Sequence, residues 1–257
     1  MKIVDQEFSE QGNTIRYGLV PWDSQIFGFT IVEASGIEIS NMEKFDILIS
    51  SFERRLKDLN CRMVCVKVPA VEKEIFYKLQ KGGYVFIEET IQPYIGDLRR
   101  HDARYSDLVG SPLAGATGDT IEAIKGIACR TFVYDRFHAD KGFSGEKASE
   151  RYAYWVDNSF NSGDDVLYLD DEGVVRGFSI VHGSGDEAYL ALMGVDEGRK
   201  GHGLGMELLA ATCQHVKDEG FKGFSTVLSL NNIPALNLYS ECGFKFKDPV
   251  YVLHKWM

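Results

Sequence analysis

The sequence is poor in positive charge. Its 257 residues include 28 Lys and Arg against 38 Asp and Glu, which gives a formal net charge of −10 at pH 7. A protein that binds a nucleic-acid backbone needs a basic surface to neutralise the phosphates. We therefore expect no nucleic-acid partner, and an anionic ligand should be small and bound locally.

Cysteine is also scarce. The five cysteines are odd in number, scattered and without the spacing of a metal site: Cys61, Cys65, Cys129, Cys213 and Cys242. This pattern is typical of a reduced cytosolic protein, and it predicts no bound metal.

Long apolar runs are missing as well. No stretch reaches the ~20 apolar residues of a membrane-spanning helix, and Met1–Asp5 does not begin a signal peptide. These absences predict a cytoplasmic protein without a membrane partner. With 44% hydrophobic residues, the chain can still bury the core of one large domain or of two small ones.

The sequence does contain a glycine-rich loop between an apolar run and a helical pattern. The loop, Val195–Gly205, follows the apolar residues Tyr189–Met193 and precedes the helix-like segment Met206–Val216, and glycine occupies every second position from 201 to 205. Such glycines let backbone N–H groups close on an anion at the helix N-terminus, where the helix dipole is positive. The arrangement predicts a cradle for a pyrophosphate. A glycine loop without a ligand is the alternative.

The loop does not fit two other phosphate-binding motifs. A dinucleotide-binding loop, Gly-x-Gly-x-x-Gly, would have its third glycine one residue later and an acidic residue at the end of the next strand, but Gly223–Leu230 contains no acid. A Walker loop needs Gly-Lys-Ser/Thr at the start of the helix, where this chain has Gly205–Glu207. Both classes of nucleotide site are therefore disfavoured.

A second motif follows at residues 231–244. It begins with a capping Asn, has Pro234 in its first turn, places apolar residues at helical spacing and ends in Gly243. These signals predict a short helix with a sharp end.

Together, the two motifs resemble those of the acetyl-CoA-dependent N-acetyltransferase (GNAT) superfamily. Lys200–Gly205 fits its motif (Arg/Gln)-x-x-Gly-x-(Gly/Ala), and Asn232–Phe244 fits Asn-x-x-Ala-x-x-x-Tyr-x-x-x-Gly-Phe. Lys200 stands where the family usually has Arg or Gln. Lysine keeps the positive charge of arginine but lacks a planar group with two donors for the pyrophosphate. The match covers about the last 140 residues, a typical domain size. It implies an α/β GNAT fold with a mixed central sheet flanked by helices.

The resemblance also implies acetyl-CoA as co-substrate. It assigns coenzyme binding to the end of one strand, the glycine loop and the start of the last helix: Met193, Gly194, Val195, Lys200, Gly201, His202, Gly203, Leu204, Gly205, Asn232 and Ala235. Gly194 is consistent with a bulge in that strand. Tyr239 takes the family's tyrosine position, where it would protonate the departing thiolate as general acid. A helix tyrosine packed at the sheet edge is the alternative.

The N-terminal half shows a faint copy of the C-terminal half. A shift of 160 residues aligns Gly83-Tyr84 with Gly243-Phe244 and Lys57-Asp58 with Lys217-Asp218. The pattern indicates a worn internal duplication, and chance similarity of two helix-strand-helix-strand units is the alternative. Leu79 occupies the Tyr239 position of the first copy, so that copy is expected to be a scaffold that does not bind coenzyme A.

Small residues with Pro and Gly but no apolar periodicity mark a linker at about 99–118. The predicted domains are therefore a degenerate, half-GNAT-like scaffold at 1–105 and a catalytic GNAT domain at 115–257. In the second domain we expect helices and strands at Asp119–Phe132, Gly145–Phe160, Val166–Asp170, Val174–His182, Glu187–Val195, Met206–Val216, Gly223–Leu230 and Lys247–His254.

For the amine acceptor, two regions resemble the bacterial TDP-amino-sugar (TDP-fucosamine) N-acetyltransferases: Trp22–Gly28, and Asp135–Asp140 followed by Glu150–Ser159. The resemblance implies a small-molecule amine, a nucleotide sugar, as substrate. Such a site needs aromatic faces for the base and sugar and a cation for the diphosphate. The candidates are Trp22, Phe27, Arg136 and His138. Alternatively, Trp22 and Phe27 are core residues of the first strand.

The sequence leaves several points open. The general base has four candidates of suitable type, His138, His182, Asp186 and Glu187, and a base acting through ordered water is an equal alternative. A GNAT enzyme for a peptide, lysine or other small-molecule amine is the second function, and a noncatalytic coenzyme A-binding module is the third. The oligomeric state is also open, with a homodimer as one option.

Overall fold

The computed structural model describes residues 5–100, 113–196, 198 and 203–257. The chain forms two compact units, and each takes segments from both halves of the sequence. Unit 1 comprises Met1–Thr90, Arg136–Lys147 and Asp248–Met257, and unit 2 comprises Ile91–Asp135 and Ala148–Lys247. Most of the predicted linker lies outside the described residues, so the division at 99–118 stays a prediction.

Unit 1 is a sheet with helices. Its first elements are β1 (Gln6–Glu10), β2 (Asn13–Leu19), α1 (Pro21–Phe27), β3 (Thr30–Glu38), α2 (Phe45–Asp58), β4 (Cys61–Pro69), α3 (Lys73–Lys81) and the start of β5 (Val85–Ile95). The short helix α5 (Arg136–Ala139) and most of β12 (Lys245–Trp256) complete it. The strand order is β1-β2-β3-β4-β12, with β3 and β4 parallel. Apolar residues of α2 and α3 pack on this sheet, led by Phe45, Leu48, Phe52 and Leu79.

Unit 2 also combines strands of mixed direction with helices. Its elements are the end of β5, β6 (Ala114–Gly115), α4 (Ile121–Thr131), most of α6 (Gly145–Ser162), β7 (Asp165–Asp171), β8 (Val174–Ser184), β9 (Glu187–Val195), α7 (Leu204–Asp218), β10 (Gly223–Ser225), β11 (Leu228–Ser229) and α8 (Ile233–Glu241). The strand order is β5-β10-β9-β8-β7-β6. One apolar cluster involves α7 and α8, and another involves α4 and α6. No helix in the described part of the chain is long and apolar enough to cross a membrane.

Most of the predicted elements of unit 2 are present, with one correction among the strands. The predicted strand Gly223–Leu230 is two short pieces, β10 and β11. The ladder between β9 and β10 ends at Ser225, and the N–H of Thr226 donates to the carbonyl of Pro93 at 3.0 Å instead. The chain therefore keeps β5 as its partner and leaves β9 in the middle of the predicted strand.

A second correction concerns the N-terminal motif. Trp22 and Phe27 lie in helix α1, so the alternative that places them in the first strand is wrong. Pro21 begins this helix, where its missing N–H costs no hydrogen bond, and Gly28 ends it with a φ of 81°.

Several features recur at a spacing of 160 residues. Helices α3 and α8 have the same length at this offset, and each ends in a glycine of positive φ, 86° at Gly83 and 79° at Gly243. At this offset β4 corresponds to β10, and β5 corresponds to β12. Each strand pairs with one from the other half of the sequence: β4 pairs with β12, and β10 pairs with β5. Each sheet therefore contains a strand from the other half of the sequence.

Unit 1 buries a charged cluster beside its sheet. Glu33 of β3 accepts hydrogen bonds from Arg136 at 2.8 Å and from Lys67 at 2.7 Å. Burial alone would raise the pKa of Glu33, but attraction to Arg136 and Lys67 and their hydrogen bonds outweigh it and lower the pKa to about 2. The folded unit thus holds Glu33 as a carboxylate.

This cluster predicts acid sensitivity. Folding lowers the pKa of Glu33, so the ionised side chain adds to the unfolding free energy above pH 4.5, the ordinary pKa. This added stability is lost as the pH falls towards about 2. The shift corresponds to about 3 kcal/mol of unfolding free energy. Guanidinium unfolding of wild type and Glu33→Gln is measured at a series of pH values. As the pH falls, the unfolding free energy should decrease more steeply in the wild type than in the variant.

The matched control is Glu38→Gln. Glu38 is an exposed acid of the same strand, and it pairs with Arg16 at the surface. Its variant should keep the wild-type pH dependence. If the unfolding free energy of wild type and of Glu33→Gln changed equally with pH, the lowered pKa of Glu33 would be contradicted.

Candidate functional site

The strands β9 and β10 of unit 2 form a fork. Their parallel ladder joins Glu187–Tyr189 to Gly223–Ser225, after which the strands separate. β9 continues to Val195 with β8 on one edge, and no described strand pairs with its other edge beyond Tyr189. That edge includes Met193, Gly194 and Val195, three of the predicted coenzyme-binding residues. The carbonyl of Val195 accepts from the Thr131 hydroxyl at 3.3 Å, and the other backbone groups on this edge can hydrogen-bond an extended ligand as a neighbouring strand would.

Thr226 and Tyr239 lie at the base of the fork. The Thr226 hydroxyl donates to the carbonyl of Leu190 at 2.8 Å, and the Tyr239 hydroxyl lies beside Thr226. The Tyr239 ring is buried and makes an edge-to-face contact with Phe244, with ring centroids 5.0 Å apart. The fork and the predicted acid are therefore joined through one threonine.

The surroundings of Tyr239 fix its protonation state. Burial raises the pKa of Tyr239 above the usual range, and the buried thiol of Cys213 adds to the effect. The phenol therefore keeps its proton at neutral pH. A protonated phenol is a proton donor and can serve as a general acid.

The start of α8 is shaped by two further predicted residues. The Asn232 side-chain oxygen accepts a hydrogen bond from the backbone N–H of Ala235 at 3.2 Å, so Asn232 is the N-cap of the helix. Ala235 and Met193 both pack against the cluster that contains Tyr239. The motif therefore holds the tyrosine helix in place.

The glycine loop is described at its C-terminal end. Gly203 has a φ of 82° just before α7, a conformation that favours glycine, and its carbonyl accepts from the N–H groups of Met206 and Glu207. A Cβ at Gly205 would lie 3.7 Å from the Leu238 side chain, so α7 packs closely on α8. The predicted residues Lys200, Gly201 and His202 lie outside the described residues.

The bulge in β9 is not at Gly194, as we expected from the sequence. Ile180 pairs with Leu192 and Val181 with Leu190, which makes Ala191 the extra residue. Gly194 pairs regularly with Phe178, and a Cβ there would lie 3.0 Å from the Phe178 ring. Glycine at 194 therefore serves close packing.

The four candidate general bases have different surroundings. His182 of β8 is 2.7 Å from the Asp164 carboxylate through Nδ1, whereas Asp186 forms an exposed ion pair with Lys222. Glu187 is exposed at the start of β9. His138 belongs to unit 1, and the fork belongs to unit 2. His182 is the candidate that combines a carboxylate partner with a place in the forked sheet.

The predicted sugar-binding residues lie in unit 1. Phe27 is 6% exposed and stacks on Phe137 with ring centroids 5.2 Å apart. The Arg136 side chain is 13% exposed and bonded to Glu33, with the Asp23 carboxylate 3.8 Å away. These contacts are those of a packed core and a buried ion pair. Trp22 and His138 are partly exposed.

The structure adds two residues to this picture that the motifs did not indicate. Thr226 lies just past a strand, and Asp164 precedes β7, so neither belongs to a recognisable pattern. Their partners Leu190 and His182 are distant in the sequence. The described residues contain no group of three or more His, Cys, Asp or Glu side chains that could hold a metal ion.

The capping contact yields a stability prediction. Asn232→Ala should lower the unfolding free energy by about 1 kcal/mol, because the N–H of Ala235 loses its acceptor. Glu72, 160 residues earlier, caps α3 without a side-chain hydrogen bond. Glu72→Ala is therefore the control and should change little. Urea unfolding measures both, and equal losses would contradict the capping role.

Comparisons with known proteins agree on a fold. Residues 131–244 match the model of the acetyltransferase (GNAT) family. The mycothiol acetyltransferase of Clavibacter sepedonicus is 32% identical over 80 residues, which is 31% of this chain and 26% of that protein. The chain thus matches about a quarter of the length of this curated relative.

Solved structures resemble nearly the whole chain. A tandem GNAT protein from the clavulanic acid biosynthesis pathway aligns with a TM-score of 0.64 and 15% identity, covering 96% of this chain and 81% of that one. A GCN5-related glucosamine N-acetyltransferase region of a fungal multi-domain GH3 β-N-acetylglucosaminidase aligns with a TM-score of 0.69 and 14% identity, covering 96% and 32%. At these identities the likeness shows the fold alone, an α/β GNAT fold with a mixed sheet and flanking helices.

Proposed function

We propose that the chain, whose residues 131–244 match the model of the acetyltransferase (GNAT) family, is an acetyl-CoA-dependent N-acetyltransferase that modifies a primary amine. The observation that carries the proposal is the fork between β9 and β10, with a buried, protonated tyrosine next to Thr226 at its base. A noncatalytic binding module would not need a proton donor at that position.

The residues at the fork fit acetyl-CoA. The free edge of β9, with Met193, Gly194 and Val195, would hold the extended pantetheine arm by backbone hydrogen bonds. Residues 200–205, at the start of α7, would hold the pyrophosphate. When bound, acetyl-CoA supplies the acetyl group as an activated thioester. Tyr239 would donate its proton to the thiol that leaves.

We further propose that unit 1 is a degenerate GNAT-like scaffold. Its helix α3 matches α8 at the offset of 160, but Leu79 stands at the position of Tyr239 and Glu72 at that of Asn232. The matching strand pairings support a common origin. The fold of the tandem GNAT protein supports it too. Without the tyrosine and the capping Asn, this copy keeps the architecture and lacks the chemistry.

For the acceptor, we propose the amino group of a nucleotide-linked sugar. The support is the sequence resemblance at residues 22–28, 135–140 and 150–159, together with the fold shared with a glucosamine N-acetyltransferase region. Phe27 and Arg136 are engaged in the core and the ion pair of unit 1, so they do not support the proposal. A peptide or other small amine is the alternative outcome of the test.

Tyr239→Phe separates catalysis from binding. The variant should bind acetyl-CoA with wild-type affinity in calorimetry but lose roughly 10²–10⁴-fold in rate, because it cannot protonate the leaving thiol. Tyr168→Phe, a partly buried tyrosine of β7, is the control and should keep the rate. Thiol release from acetyl-CoA measures the rate. An unchanged rate in Tyr239→Phe would overturn the assigned role.

An acceptor panel tests the substrate class. Wild type is offered a TDP-linked 4-amino sugar, glucosamine, lysine and a peptide with a free N-terminus, and acetylated products are identified by mass spectrometry. Preference for the TDP-linked sugar is expected. Turnover of other amines alone would remove the nucleotide-sugar proposal, and failure to bind acetyl-CoA would remove the acetyltransferase proposal itself.

A further inference from the structure

A row of four polar side chains crosses the sheet of unit 2 beside the fork. His182 pairs with Tyr189, Tyr189 with Ser225, and Ser225 with Tyr94, on strands β8, β9, β10 and β5. Directly paired residues point to the same face of a sheet. The four side chains, hereafter the polar row, therefore share one face.

The polar row lies on the face opposite Tyr239. The neighbouring residues Val181, Ala188, Phe224 and Ile95 belong to the apolar cluster that contains Tyr239. Because successive residues of a strand point to opposite faces, the polar row points away from that cluster. The fork thus has the phenol on one face and the polar row on the other.

Tyr189 spans the fork on the face of the polar row. Its hydroxyl lies close to the backbone of Val227, which follows β10, while its Cα lies in β9. The side chain nevertheless remains 36% exposed. The His182 ring is parallel to the Tyr189 ring, with an interplanar angle of 6° and centroids 6.5 Å apart. An amine that reaches the fork from this face meets Tyr189 and His182 first.

Asp164 fixes the orientation of His182. Nδ1 of His182 is 2.7 Å from the Asp164 carboxylate, and the His182 side chain is 29% exposed. A proton on Nδ1, next to the Asp164 carboxylate, would leave Nε2 with a lone pair. That tautomer is the one that a general base needs.

We propose that the polar row is the acceptor-amine site and that His182 is its general base, with Asp164 as the positioning residue. The inference rests on the proposed acetyltransferase function and adds to it the face from which the amine enters. Ser225 and Tyr94 contribute hydroxyl groups to this face, which suits a hydroxylated acceptor such as an amino sugar.

The proton transfers balance in this arrangement. The acceptor ammonium gives one proton to Nε2 of His182, and the freed lone pair of its nitrogen forms the bond to the acetyl carbon as the C–S bond breaks. Tyr239 gives its proton to the sulfur. The nitrogen then loses its second proton, which restores the phenol through solvent, and His182 releases its own proton to water. The net products are an amide, a free thiol and one proton.

Unit 2 contains a matched control pair. His215 of α7 is 3.3 Å from the Asp165 carboxylate through Nε2, and neither residue belongs to the polar row. His182→Ala and Asp164→Asn therefore have His215→Ala and Asp165→Asn as controls of the same chemistry. Thermal melting of all four variants checks that each is folded.

The kinetic test uses acetyl-CoA and the best acceptor of the panel. His182→Ala should lose roughly 10²–10⁴-fold in kcat, lose the acidic limb of the pH–rate profile and recover part of its rate with added imidazole. The decrease in kcat should be smaller in Asp164→Asn than in His182→Ala. Among the described residues, the titratable groups recorded next to the His182 ring are Asp164 and Tyr189. The acidic limb of the pH–rate profile is therefore measured in Tyr189→Phe as well, where it should remain. Both control variants should behave as wild type.

A second measurement does not depend on turnover. Long-range ¹H–¹⁵N spectra of the histidines should show His182 with its proton on Nδ1 in wild type, and a change of tautomer in Asp164→Asn. Wild-type binding and turnover of acetyl-CoA together with an unimpaired His182→Ala would overturn this inference alone. Absence of acetyl-CoA binding by wild type would instead overturn the proposed function.

Discussion

The separation of β9 from β10 after the Tyr189–Ser225 pair is the constraint on which the site depends. A continuous ladder would satisfy the backbone of β9 and leave no room for a ligand. Thr226 compensates at the branch point, because its hydroxyl occupies the carbonyl of Leu190 and contacts Tyr239. One side chain thus ends the strand pairing and connects the free edge to the buried phenol.

The fork also separates two environments. On one face, α7 and α8 bury Tyr239 among apolar groups, which keeps its proton in place. On the other face, the polar row remains accessible and includes a histidine oriented by a carboxylate. A sheet provides this contrast without further elements, because alternate residues of each strand face opposite ways.

Local signals predicted much of this structure. The Asn cap, Pro234 and Gly243 placed α8 and Tyr239 correctly, because caps and periodicity are short-range properties. The break after Ser225 and the bulge at Ala191 depend on pairing partners far along the chain, so the sequence suggested one long strand and a bulge at Gly194 instead. The pair of His182 and Asp164 was equally hidden, since the fold alone brings them together.

The exchanged strands bear on how the molecule is made. The sheet of unit 1 includes β12, which holds the last residues of the chain, while the sheet of unit 2 begins with β5 from the first half. During synthesis, the first unit therefore waits for the final strand before its sheet is complete. A single cut between the two halves of the chain would therefore separate β12 from the strands of unit 1 and β5 from the strands of unit 2.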